Sequence, residues 1–205
     1  MKFSGFLFSV FAVLAALSST PRAADKRYPD WPCMQPKVPQ MSVSAVWDGP
    51  SIADVGNSWQ DDPKIKDLVA RLAARRTPLD AAEKMIAGFI IGTSTEKQEK
   101  AKRLFAGLFD TSSQERSEVM SGIERVARNE KELADKIRSD VDTLHQLEDK
   151  ADEDQAKVTA LASQVEWSTR IFEDRRKTIR YVCEVPTIIE QRVFALARAI
   201  RKTLD

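Results

Sequence analysis

Between residues 111 and 183 the chain carries no proline and a single glycine, Gly122, and its apolar residues recur every three and four positions. With Ile123 at heptad position a, the a series reads Ile123, Glu130, Ile137, Leu144, Ala151, Val158, Val165, Phe172, Ile179. The d series reads Val126, Leu133, Asp140, Leu147, Asp154, Leu161, Ser168, Arg175, Val182. Most of these positions are apolar, which predicts helix with a coiled-coil seam. Thr111, Ser112 or Ser113 supplies its start, because Thr111 with Gln114 and Ser112 with Glu115 both match a capping box.

One unbroken helix of that extent would run about 110 Å. Against it stand Asp149, Asp152, Glu153 and Asp154, acids gathered where the seam is weakest. A turn near residues 150–154 would fold the stretch into a hairpin with limbs of about 50 Å. The second limb has apolar residues on two sides, with Val165, Phe172 and Ile179 on one and Trp167, Ile171 and Tyr181 on the other. That pattern predicts a limb packed on both faces. A hairpin is therefore expected, with a single long helix as the alternative.

Upstream, residues 61–110 read as three short helices. Asp61 or Asp62 before Pro63 starts the first, Thr77 and Pro78 the second, and Ser94 or Thr95 the third. Gly88, Gly107 and Gly122 each follow a large apolar residue and a small one, an echo that predicts close approach of helix backbones at all three. Downstream, Val185 before Pro186 ends the long stretch. A last amphipathic helix over residues 186–204 turns Ile189, Val193, Leu196 and Ile200 inward, and Arg192, Arg198, Arg201 and Lys202 outward. Its basic side is expected to be the polar face of a packed helix, with peripheral contact to an anionic membrane as the lesser alternative.

Residues 25–60 break the periodicity. Five of the chain's nine prolines and Trp31, Trp47 and Trp59 fall there, which excludes long regular helix but brings more apolar surface than a solvated tail carries. The segment reads as an extended strap lying on the helices. Residues 1–24 read as an export signal, with Lys2 ahead of an apolar run and small residues after it. Cys33 and Cys183, the only cysteines, are then expected to pair with each other. In the chain-entropy model a loop of that size restrains the unfolded state by about 4 to 5 kcal/mol.

The fold class expected is thus all-α: a short-helix bundle, a projecting coiled-coil hairpin, and a Pro/Trp-rich strap. Charge refines this little. The chain holds 32 basic and 31 acidic residues, and removing residues 1–24 takes away Lys2 and Arg22 and no acid. Near-neutrality disfavours nucleic acid as the main partner.

Candidate chemistry is sparse. His145 is the single histidine, which removes the commonest triads and histidine-based metal sites. No phosphate-binding glycine loop occurs, and the acids at 152–154 lack the spacing of a calcium loop. The expectation is an exported protein without enzymatic activity, cofactor or metal, periplasmic if the source is Gram-negative. It would act as an interaction or scaffold protein through its coiled coil, with Asp149, Asp152, Glu153 and Asp154 at the tip contacting a protein partner and oligomerisation open. The rival expectation is a binding module with a small-ligand or peptide pocket, lined by Trp31, Trp47 and Trp59, between strap and short helices.

Overall fold

The computed structural model describes residues 26–150 and 154–205. The proposed export signal at 1–24, together with Asp152 and Glu153, lies outside the described residues. Among the described residues every regular element is helical, so the fold class is all-α.

Local chemistry sets the element ends. Asp62 accepts from the backbone N–H groups of Lys64 and Ile65 and thereby caps α2, Pro63–Ala73, whose first residue is proline. The second short helix, α3, runs Leu79–Phe89. Thr77 does not cap it; its hydroxyl donates instead to the Arg71 carbonyl near the end of α2. Before these, the strap contains one turn of helix, α1, Val43–Val46, and a 3-10 turn, Ser58–Asp61. Pro39 and Pro50 bound the stretch that holds α1.

The largest departure from the expected layout is α4, which runs unbroken over Ser94–Glu148. Thr93 and Glu96 form its capping box, with the Glu96 carboxylate accepting from the Thr93 amide at 2.8 Å. The third short helix and the first limb are therefore one helix, and the boundary expected at residue 111 does not exist. The polar run around 110–118 looked like a break because its inward positions are Ser112 and Arg116. Both are buried, and they carry the buried stripe from Leu108 to Met120 without a gap.

Beyond α4 come α5, Gln155–Val182, and α6, Val185–Lys202. Gln164 donates to Asp140 at 3.0 Å, Arg175 to Glu130 at 3.2 Å and Arg116 to Glu190 at 2.5 Å. Rising numbers along α5 and α6 thus meet falling numbers along α4, and the two helices together run antiparallel to it.

The core sits at the base, where α2, α3, α6 and the first part of α4 converge. Ile65, Leu72, Ile86, Leu104, Phe105 and Ile200 are wholly enclosed there. Each such side chain contributes on the order of 1.5–3 kcal/mol by leaving water. Gly107 is the one glycine of the three that marks a close approach: a Cβ on it would stand 2.8 Å from both Trp59 and Val69. Gly88 and Gly122 face open space or a distant arginine tip, so the crossings expected at them are absent.

Candidate functional site

Cys33 and Cys183 are joined, with their Cα atoms 5.6 Å apart. The bond ties the strap to the two-residue link between α5 and α6. Around it Trp31 Nε1 donates to the Gln35 carbonyl at 2.8 Å, and the Gln35 amide donates to the Cys183 carbonyl. Lys37 pairs with Glu124 at 2.6 Å, and Arg116, itself buried, donates to the Val38 carbonyl at 2.7 Å. The strap is therefore held along α4 by polar contacts as well as by the disulfide.

The three strap tryptophans do not share a pocket. Trp47 stacks on Phe105, with ring centroids 4.2 Å apart, and its Nε1 donates to the Pro50 carbonyl. Trp59 lies over Gly107 and donates to Asp110 at 3.0 Å. Both are buried core residues. Trp31 instead lies beside Ala127 and Glu130, roughly 33 Å farther along α4 than Phe105.

At the far end, Asp149 follows the last turn of α4, and Asp154 caps α5 by accepting from the Ala156 amide at 2.9 Å. Asp154 thus has a structural task. The two other acids of the expected tip, Asp152 and Glu153, cannot be placed among the described residues.

Along the pair, the inward side of α4 runs through Ile123, Ala127 and Glu130. Val126, assigned to the seam by the heptad, is 42% exposed, because the helix turns slightly past the 3.5-residue repeat and brings Ala127 inward. The polar seam residues are engaged across the pair, where Glu130 Oε1 accepts from Arg175 and Asp140 from Gln164; Asp140 also accepts from Lys136 one turn earlier on α4. Glu130 Oε2 is buried without a donor.

The two-sided burial expected for the second limb is absent. No residue of α5 is fully buried, and its outer side leaves Trp167 62% and Tyr181 74% exposed. The strap reaches Arg128 and Lys131 on α4 and adjoins α5 on the side of Phe172 and Ile179, so it does not cover Trp167 or Tyr181, and Ile171 of that second side is half-buried.

Compared with protein families, curated proteins and solved structures, the chain shows no match.

The electrostatics are those of structural ion pairs. Asp54, Glu96 and Asp140 all have carboxyl pKa values below the usual range, held there by donors from Lys102, Thr93 and Lys136 respectively. Burial pushes the Arg192 guanidinium down; it sits against the Leu72 and Thr77 carbonyls, at 2.6 and 2.9 Å. This arginine, expected on the basic outer side of the last helix, instead closes the end of α2. Among the described residues no cluster of three or more His, Cys, Asp or Glu side chains is arranged to hold a metal ion, and no helix is long and apolar enough to cross a membrane.

Proposed function

We propose that this is an exported, non-enzymatic interaction protein that presents the distal part of α4 and α5 as a projecting coiled-coil hairpin to a protein partner. The observation that carries this reading is the outer side of α5, where Trp167 and Tyr181 stand exposed. Large aromatics of this kind are costly to leave in water and are the residues that anchor protein interfaces. Export is supported by the Cys33–Cys183 bond, since such bonds persist in oxidising compartments. The acids at 149 and 152–154 then act at the rim of the contact, tuning encounter more than affinity.

The experiment is capture of a partner from an envelope extract by the immobilised, oxidised protein, comparing the parent with Trp167→Ser/Tyr181→Ser. The double variant should keep its helicity and urea midpoint and lose at least about 30-fold in affinity, as expected for two aromatic anchors worth roughly 1–2 kcal/mol each. Undiminished capture by that variant would remove the basis of the proposal. Charge reversal at Asp149 should slow association and make it less sensitive to salt.

The rival reading, a pocket shared by Trp31, Trp47 and Trp59, has no support from the positions of Trp47 and Trp59 in the core.

A further inference from the structure

We infer that the groove between residues 29–34 and the adjoining sides of α4 and α5 binds a small amphipathic carboxylate, with its chain on an apolar floor and its head on Arg176 and Arg180. The groove encloses about 550 Å³, within the span of small-ligand sites. Trp31, Met34, Phe172 and Ile179 supply apolar surface, and Met34 is 86% exposed. On α4 the small side chains of Ala127 and Ala134 stand on either side of Glu130 and make the room.

Charge decides the occupant. Asp30 accepts from Arg128 and Lys131, at 3.3 and 3.4 Å, and Glu130 Oε1 accepts from Arg175. Asp30 is thus paired through both oxygens and Glu130 through Oε1 alone. Arg176, which lies over the Phe172 ring, and Arg180 have no carboxylate partner among the described residues. Four residues apart, they are neighbours on α5, with Cβ atoms roughly 6 Å apart. Two uncompensated guanidiniums beside apolar floor residues match an anion with a hydrocarbon body. An extended peptide would need rows of donors and acceptors that the paired lining groups do not offer.

The wall is also held in place by the strap's anchor. Cys33 lies between Pro32 and Met34, and Cys183 follows Arg180 by three residues, so the disulfide joins the two sides of the groove. The site is separate from the proposed partner surface, because Trp167 projects roughly 140° around α5 from Phe172.

Calorimetric titration of the oxidised full chain with decanoate, below its micelle concentration, tests the inference. One equivalent should bind saturably. Arg176→Gln/Arg180→Gln should weaken binding at least tenfold, and Trp31→Ala at least fivefold. Cys33→Ser/Cys183→Ser should also weaken it, whereas Trp167→Ser should bind as the parent does. Circular dichroism and urea midpoints confirm that each variant is folded, and the single Arg180→Gln substitution, expected to cost at least threefold, serves should the double variant misfold. The inference is overturned if decanoate does not bind up to millimolar concentration, or if decyltrimethylammonium binds as tightly. It is equally overturned if the arginine variants retain parental affinity, or if a ten-residue peptide with an apolar C-terminal residue displaces decanoate with higher affinity.

Discussion

Gly107 and Gly122 occupy similar sequence settings and opposite structural ones. An added methyl at Gly107 meets Trp59 and Val69 at 2.8 Å, and neither neighbour can withdraw from the core without cost. Gly107→Ala should therefore destabilise the fold by about 1–3 kcal/mol, through overpacking that outweighs the gain in helix propensity. At Gly122 only an arginine tip at 3.9 Å is near. Gly122→Ala should stabilise by roughly 0.5–1 kcal/mol, and urea unfolding of the two variants should show opposite shifts of midpoint. Asp140 is held by Lys136 on its own helix and by Gln164 across on α5. Its carboxyl pKa is lowered, chiefly by Lys136 and further by Gln164. A carboxyl of this kind contributes stability that is complete above its unfolded value of about 3.9 and drains as the pH falls through its lower folded value. Asp140→Asn should thus flatten the loss of stability below about pH 4, read as urea midpoints measured from pH 2 to 6. At this scale the sequence disclosed which residue types were unusual, but the echo around the glycines carried no information on what faces them. Likewise Trp31, Trp47 and Trp59 form one group in sequence, and packing divides them between core and groove.

Among the elements, the ends marked by proline were legible, whereas Thr77 does not cap α3 and no boundary falls at residue 111. Asp62 and Pro63 start α2, and Pro186 lies in the first turn of α6, as local backbone chemistry requires. The join between the third short helix and the long stretch was not legible. Thr111, Ser112 and Ser113 have good capping chemistry, but Ser112 is buried against neighbouring elements, and continuous helix keeps the backbone of this buried run hydrogen-bonded. Arg116 was equally concealed, since a buried arginine needs partners that come from residues distant in sequence, here Glu190 and the Val38 carbonyl. The strap is an element held from outside itself. Cys33→Ser/Cys183→Ser should lower stability by about 2–5 kcal/mol. The loss should appear in urea unfolding, with most of the helical signal of the folded state retained, because the base core does not contain the disulfide.

At the scale of the whole molecule, α4 sets the length. Its 55 residues span about 82 Å, longer than the limbs of about 50 Å that a boundary at residue 111 would give. Small-angle scattering of the oxidised protein should yield a maximum dimension of at least about 80 Å at monomer mass; a value near 55 Å would contradict the unbroken helix. One end of this length holds the hydrophobic core, and the other consists of two helices whose shared side is only partly enclosed. Stability is accordingly expected to fall from base to tip, and amide hydrogen exchange should be slowest in α2, α6 and the first part of α4.

The sequence by itself determined that the fold is helical, where proline and acid caps begin the helices, and which two cysteines could meet, because these follow from periodicity, local backbone chemistry and a count of two. Only the tertiary structure decided that α4 passes through a polar run, that Trp47 and Trp59 serve the core, and that Trp167 and Tyr181 remain outside. Periodicity records that a side chain is apolar and on which side of a helix it stands. Whether another element lies across from it depends on residues far along the chain, and so appears only when the chain is folded.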